Sequence, residues 1–195
     1  MLTVVTGIAA QTMRNSNSME DFSQSFLERL DALSRAHSLV ASRNWGTTSL
    51  KDLVAQILAP HSGASNQISI EGPAVSLLPK TALALSLVLH ELVTNAAKYG
   101  ALSTPNGKLS VLWAYGADRD AKIRLIWVET GMDIKAQPTR SGFGTRLINA
   151  VVKTELRGSV SIEYAVDGAR YEMELGLSPT PDDRSVGINE PELIS

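Results

Sequence analysis

The sequence predicts an α+β protein in which an N-terminal helical hairpin precedes a domain with a mixed, largely antiparallel sheet covered by helices on one face. Three observations support this class. Apolar residues recur every three or four positions near the N-terminus, two pairs of alternating segments follow later, and nothing repeats the strand–helix–strand rhythm of a doubly wound sheet. We therefore predict a hairpin over residues 1–43, a domain over 45–178 and an acidic, Pro-containing, disordered tail over 179–195.

The hairpin consists of two amphipathic helices. The apolar stripe of the first contains Leu2, Val5, Ala9 and Met13, and that of the second contains Phe22, Phe26, Leu30, Leu33, His37 and Val40. Ser18 and Asp21 have the spacing of a capping box, which starts the second helix. One hairpin is too narrow to bury both apolar faces, so residues 1–43 are expected to form a homodimeric four-helix bundle.

The elements of the domain follow from capping residues, turn residues and alternation. In chain order we first expect a helix LKDLVAQIL that Pro60 closes, and then a strand QISIE. A helix from Lys80 to Tyr99 follows, with Pro79 in its first turn and Gly100 as its stop. The remaining elements are the hairpin KLSVLWAY with KIRLIWVE, a helix from about Gly144 to Leu156, and the hairpin SVSIEYA with RYEMELG. The second hairpin is expected to turn at Asp167 and Gly168.

Composition and charge exclude several classes of protein. With 18 Lys plus Arg against 20 Asp plus Glu, the net charge is −2, which is unlike the concentrated basic surface of a nucleic-acid-binding protein. The absence of Cys excludes disulfides, Cys zinc sites and thiol catalysis, and it fits a reducing, cytoplasmic compartment. The longest apolar run, TALALSLVL, has nine residues, whereas a membrane span needs about 20. We expect no membrane segment in this chain.

The helix from Lys80 to Tyr99 is apolar nearly all round and yet carries His90, Glu91, Asn95 and Lys98. The last three are spaced by four and three residues, so their side chains share one face. Hydrated Mg²⁺ and phosphates would give such buried groups partners: the amide oxygen for the metal, the ammonium for phosphate, and the carboxylate to orient water or a nucleophile. Alternatively, this face is the solvent edge of an amphipathic helix. The motif HELVT lacks the second histidine of a zinc protease.

Two further segments could carry chemistry. GFGTRL, from Gly142 to Leu147, places two glycines before a helix, where backbone N–H groups can approach an anion. WVETG places Glu129 at the end of a strand before Gly131, where a buried carboxylate can accept a hydrogen bond from an adenine amino group. A loop turn and a strand-end acid are the simpler explanations. The sequence contains no P-loop, GxGxxG or GxSxG motif.

Taken in order, HELVTNAAKYGALS, WVETG and GFGTRLI resemble the HWE family of sensor histidine kinases. That family is named for a His in its asparagine box and a Trp, any residue, Glu in its first glycine box, which match His90, Trp127 and Glu129. The resemblance implies a Bergerat-type ATP-binding domain, as in gyrases, heat-shock chaperones and mismatch-repair ATPases. It extends to the hairpin through RLDALSRAHSLV and so covers most of residues 1 to 178.

The resemblance also implies roles for the matching residues, with ATP and Mg²⁺ as cofactors. Asn95 would hold Mg²⁺, and the implied catalytic residues are Glu91, His90 and Lys98. Those implied to border the nucleotide are Asn95, Lys98, Tyr99, Trp127, Glu129 and Gly131, with Gly142, Gly144 and Thr145 at the lid over the phosphates. Glu129 and Gly131 would read adenine.

The implied activity is transfer of the ATP γ-phosphoryl to a histidine, followed by relay to an Asp of a response-regulator receiver domain. The implied partners are that domain, a second copy bound through residues 1–43, and an upstream sensor domain. The opening MLTVVTGIAAQT resembles the residues just after the family's phosphoacceptor box, HRVKN. We therefore expect a kinase core that begins just past the acceptor His and does not phosphorylate itself.

None of the three histidines of the chain matches that acceptor. His37 lies on the apolar stripe and is expected to pack, His61 is expected to be a solvated loop residue, and His90 is expected to orient a neighbouring group. Met132 replaces the second glycine of the family's first glycine box. Two alternatives stay open: a degenerate nucleotide-sensing or dimerisation scaffold, and an ATPase or serine kinase of the same superfamily.

Overall fold

The computed structural model describes residues 2–13, 47–61, 68–116, 122–132 and 143–176, together with residues 16, 18–20, 22–24, 26, 27, 29, 30 and 34. Its helices include α1 (Leu2–Met13), α2 (Leu50–Leu58), α3 (Pro79–Tyr99) and α4 (Phe143–Thr154). Its strands are β1 (Thr48–Ser49), β2 (Ile68–Glu71), β3 (Ser76–Leu77), β4 (Lys108–Tyr115), β5 (Lys122–Thr130), β6 (Ser159–Ala165) and β7 (Gly168–Gly176). Short 3₁₀ turns at Ala59–His61 and Ala101–Ser103 follow α2 and α3.

A five-stranded sheet forms the centre of the domain, in the order β2-β4-β5-β7-β6. β2 runs parallel to β4, and the other neighbours are antiparallel. Both predicted hairpins are confirmed: β4 pairs with β5 from Lys108 opposite Thr130 to Tyr115 opposite Ile123, and β6 pairs with β7. The mixed, largely antiparallel sheet expected from the sequence is therefore correct.

Alternation along the strands gives the sheet one buried and one outer face. Trp127 on the buried face belongs to a single hydrophobic core with Leu85 of α3 and Ile148 of α4. The outer face carries polar groups, such as the ion pair between Arg124 and Glu172. The helices α2, α3 and α4 thus cover one face of the sheet, as predicted.

Helix α3 has the boundaries that the sequence indicates. Leu78 is the N-cap and Pro79 occupies the first turn, where its missing N–H costs nothing. Gly100 ends the helix, and its N–H donates to the Ala96 carbonyl at 3.1 Å. With φ at −116°, Gly100 is not in the left-handed region, so its backbone angles do not explain why glycine occupies this position.

A two-stranded sheet of β1 and β3 is the main element that sequence reasoning did not predict. It joins Thr48–Ser49 to Ser76–Leu77, and two residues are too few to show alternation. The nearby helix α2 starts as predicted, because the Ser49 hydroxyl accepts a hydrogen bond from the Asp52 N–H at 3.4 Å. His61, in the 3₁₀ turn after α2, is exposed, as expected.

The N-terminal part contains α1 and a second helical stretch, which we call the Arg29 segment and define as the described residues between 18 and 34. Val5 of α1 and Phe26 of the Arg29 segment pack against the core of the domain. The predicted hairpin stays a prediction, and Leu33, His37, Val40 and the tail over 179–195 lie outside the described residues. Over the part of the chain that the structure describes, no helix is long and apolar enough to cross a bilayer.

Candidate functional site

The C-terminal half of α3 presents the polar residues that the sequence singled out. Glu91 is only 5% exposed, and Asn95, one turn later, is half-buried. Lys98 and Tyr99 in the last turn are exposed. The face is therefore graded, from a buried carboxylate to a solvent-facing cation, which a plain solvent edge would not show.

The start of α4 lies directly against this face. A Cβ at Gly144 would lie 3.0 Å from Glu91 Oε2 and 3.3 Å from Asn95 Nδ2. The backbone at Gly144 therefore approaches both side chains closely, although Gly144 follows Asn95 by nearly fifty residues. The N–H groups at the start of a helix attract anions, so the structure brings a carboxylate, an amide and an anion-attracting helix end together. Gly142 lies outside the described residues, and Thr145 is half-buried.

Glu129 forms a second cluster with Trp127 and the backbone of Ala101, just after the end of α3; we call it the Glu129 cluster. Its side chain is almost completely buried, at 3% exposed. Oε2 accepts a hydrogen bond from the Ala101 N–H at 2.8 Å, and Oε1 accepts one from the Trp127 indole N–H at 2.9 Å. Burial raises the pKa of Glu129 above its ordinary value, and the hydrogen bonds from Trp127 and Ala101 oppose that rise. Both donors favour the ionised carboxylate.

Two glycines flank this second cluster, and one of them makes room for it. A Cβ at Gly100 would overlap Glu129 Oε2 and crowd the Ala96 backbone, which explains the glycine at this helix end. Gly131 has a φ of +75°, in the left-handed region that favours glycine, and it packs against the Asn106 carbonyl. The WVETG motif thus holds the end of β5 against the residues that follow α3.

Two predicted site residues, Trp127 and His90, do not face the space between α3 and α4 in the way that Glu91 and Asn95 do. Trp127 has no exposed surface, so any effect that it has on a ligand acts through Glu129. His90 is half-buried, and its Nδ1 lies 3.5 Å from the Thr94 hydroxyl. Arg29 is not among the predicted site residues, yet its Nε lies 3.0 Å from Glu91 Oε1. Its spacing of three residues from Phe26, on the same helix face, is the signal that could have indicated it.

Comparison with known proteins agrees with the motifs. Residues 1–74 match the sequence model of the HWE histidine kinase family. A blue-light-activated histidine kinase of Brucella ovis is 36% identical over 180 residues, which cover 91% of this chain and 37% of that protein. The corresponding kinase of Brucella anthropi is 38% identical over 169 residues, covering 86% of this chain and 34% of its own length. The chain is a member of the HWE histidine kinase family.

Solved structures support the fold of this HWE kinase chain. The blue-light activated histidine kinase of Erythrobacter litoralis aligns with a TM-score of 0.70 and 16% identity, over 91% of this chain and 57% of that structure. Its histidine kinase domain alone aligns with a TM-score of 0.62, over 97% of that domain. Our chain spans about a third of the length of the two Brucella kinases.

The donor set of this HWE kinase chain suits Mg²⁺ bound together with phosphates. Mg²⁺ prefers oxygen ligands, keeps several waters and is usually bound through one or two protein groups plus substrate phosphates. Asn95 and Glu91 supply one amide and one carboxylate, and the close backbone approach at Gly144 leaves no room for a side chain there. In the described ranges, no group of three or more His, Cys, Asp or Glu could hold a metal by itself. The residues therefore fit a metal that arrives with a nucleotide.

Replacing Trp127 with phenylalanine in this HWE kinase chain should destabilise the fold by about 1–3 kcal/mol, because Glu129 Oε1 loses its buried donor. The loss should also raise the pKa of Glu129 further. A carboxyl whose folded pKa lies above its unfolded pKa lowers stability as pH rises between the two values, and the loss persists at higher pH. The cost of Trp127→Phe should therefore be larger at pH 8 than at pH 5, as measured by urea unfolding.

Trp113→Phe is the matched control. The Trp113 indole donates to the Pro73 carbonyl at 2.9 Å, and a carbonyl does not titrate. The cost of this change should be the same at both pH values. An equal cost of Trp127→Phe at pH 5 and pH 8 would contradict the assigned interaction with Glu129.

Proposed function

We propose that this chain binds Mg-ATP between α3 and the start of α4, as the nucleotide-binding core of a sensor histidine kinase. In the whole protein, the γ-phosphoryl would pass to a histidine and then to an Asp of a response-regulator receiver domain. The observation that carries this proposal is the approach of Gly144 to Glu91 and Asn95, at 3.0 and 3.3 Å from its Cβ position. This close approach brings together the motif of Asn95, which would hold the metal, and the motif of Gly144, which would border the phosphates.

The phosphate end of the proposed site uses residues of α3 and α4. Mg²⁺ would neutralise phosphate charge and orient the phosphate chain when bound. Asn95 would bind that metal through its amide oxygen, and Glu91 would orient a water or nucleophile beside it. Lys98, exposed in the last turn of α3, would contribute a positive charge to the phosphates. Thr145 and the N–H groups at the start of α4 would border the phosphates from the other side.

The adenine end of the proposed site is the Glu129 cluster. Each oxygen of this carboxylate already accepts one hydrogen bond, and each has a second lone pair that could accept from an adenine amino group. Gly131 would form the lip of this pocket, with Met132 after it, and the exposed Tyr99 would lie at its entrance. Trp127 would hold Glu129 in place from inside the core.

We also propose that the chain dimerises through residues 1–43 and operates in the cytoplasm, downstream of a sensor domain. Exposed apolar side chains in the N-terminal part support a second copy as partner: Met13 is 67% exposed, Leu27 62% and Leu30 36%. A four-helix bundle buries such side chains against its neighbours. Light scattering after gel filtration should give a dimer, and a monomer at all concentrations would contradict this part of the proposal.

Asn95→Ala should remove the stabilisation of the chain by Mg-ATP. A ligand at 100 times its Kd stabilises the folded state by about 2.7 kcal/mol, which thermal melting readily detects. We expect melting to shift upward with Mg-ATP in the wild type and to shift little in Asn95→Ala, because the metal loses its amide ligand. Addition of EDTA should reduce the wild-type shift to the level of the variant.

Gln56→Ala is the matched control, since it removes an exposed amide from α2, outside the site. It should bind Mg-ATP like the wild type. Equal shifts in the wild type and Asn95→Ala would reject the metal ligand, and no shift in any protein would favour a scaffold without nucleotide binding. Phosphate release in step with binding would favour the ATPase alternative.

A further inference from the structure

The ion pair between Arg29 and Glu91 joins the Arg29 segment to the middle of α3. Arg29 Nε lies 3.0 Å from Glu91 Oε1, and the two side chains are only 12% and 6% exposed. The two groups carry opposite charges, so the contact is an ion pair. Removing one partner of a buried pair leaves the other charge buried, which is unfavourable. The contact is therefore a substantial link between the N-terminal part and the domain.

The same face of the Arg29 segment also makes an apolar contact. Phe26, three residues before Arg29, packs against the core of the domain and stacks on Phe22 with ring centroids 5.5 Å apart. Residues three apart on a helix are neighbours, so one face supplies both the aromatic and the ionic contact. Leu27 is 62% exposed and lies away from that contact. The segment is thus docked on the domain through a defined face.

Glu91 is shared between this docked segment and the proposed nucleotide site. Oε1 faces Arg29, whereas Oε2 faces Gly144, next to the Asn95 amide. A cation that approaches Asn95 would be attracted to the same carboxylate that holds Arg29. Two positive groups close to one carboxylate repel each other, so binding of one weakens binding of the other.

We propose that Arg29 and the magnesium ion of a bound nucleotide compete for Glu91, so that docking of the Arg29 segment and binding of Mg-ATP oppose each other. This inference rests on the proposed nucleotide site. Coupling between two binding events is reciprocal: if Mg-ATP loosens the Arg29 segment, then loosening that segment must strengthen Mg-ATP binding by the same factor. The Arg29 segment, which lies within the proposed dimerisation region, would thereby report whether nucleotide is bound.

Arg29→Met tests the competition by removing the charge while keeping an extended apolar side chain. Calorimetric titration with Mg-ATP should show binding at least about fivefold tighter than in the wild type, within the usual range of coupling between sites. With EDTA, ATP alone should bind the variant no more tightly than the wild type, because Glu91 repels phosphate more strongly when the Arg29 charge no longer lies beside it. Hydrogen exchange of residues 18–30 should be faster in the variant, and Mg-ATP should accelerate it in the wild type.

Two further variants make the result interpretable. Arg124→Met removes the same charge from an ion pair with Glu172 on the outer face of the sheet, and it should bind Mg-ATP like the wild type. Arg29→Lys keeps the charge and should stay near the wild-type affinity, which provides a test if Arg29→Met does not fold. Equal or weaker Mg-ATP binding in Arg29→Met would overturn the competition while leaving the proposed function intact. If no variant binds ATP, the proposed function fails and this inference fails with it.

Discussion

Gly100→Ala should destabilise the fold by roughly 3 kcal/mol or more. The new Cβ would overlap Glu129 Oε2 and crowd the Ala96 backbone. Glu129 would have to leave Ala101 and Trp127, and a buried carboxylate without its donors is costly. The free energy of unfolding from urea titration measures this loss.

Gly116→Ala is the control for adding the same methyl group. Its Cβ would meet only Lys122, at 3.5 Å or more, which is ordinary contact. Its stability should stay within about 0.5 kcal/mol of the wild type, as for most surface substitutions. Similar stabilities of Gly100→Ala and Gly116→Ala would show that the Glu129 cluster can move at little cost.

Gly144→Val should weaken Mg-ATP binding at least about tenfold, or about 1.4 kcal/mol, without unfolding the chain. Even the Cβ would lie 3.0 Å from Glu91 Oε2 and 3.3 Å from Asn95 Nδ2, and the two methyl groups of valine reach further. They would push apart the carboxylate and the amide that we propose to surround the metal. Titration calorimetry with Mg-ATP measures the affinity, and circular dichroism reports whether α4 is kept.

Gly7→Val controls for placing a β-branched residue in a helix, because a Cβ at Gly7 meets nothing within 4 Å. This variant should bind Mg-ATP as the wild type does. If Gly144→Val also binds normally, the phosphates do not occupy the space between α3 and α4, and the proposed site is wrong in its central feature.

Most of the domain could be predicted from local sequence signals. Pro79 and Gly100 gave the correct ends of α3, and alternation gave both hairpins with their pairing. The face with Glu91 and Asn95 also followed from helical spacing alone. These features depend on residues close together in sequence, so their physical causes are visible in a short window.

The contacts that the sequence could not indicate are long-range. The role of Gly100 depends on Glu129, which lies 28 residues beyond the Ala101 N–H that it binds. The ion pair of Arg29 with Glu91 joins two helices, and although helical spacing places Arg29 on the face of Phe26, only the fold shows that this face meets Glu91. The motif WVETG indicated a strand-end acid, but only the fold shows that the Ala101 N–H donates to it.

The fit between Gly100 and Glu129 has a consequence for how this sequence can vary. Glu129 reaches a backbone N–H, so position 101 can accept any side chain that fits, except that proline would remove the donor. Position 100 has no such freedom while a glutamate stands at 129, because its side chain fills the space of a Cβ. A shorter aspartate at 129 would remove the overlap with the carboxylate, but it would leave the Ala101 N–H without its acceptor, and a Cβ at position 100 would still crowd the Ala96 backbone. The residues that position 100 can accept therefore depend on the side chain at 129, although the two positions are far apart in the sequence.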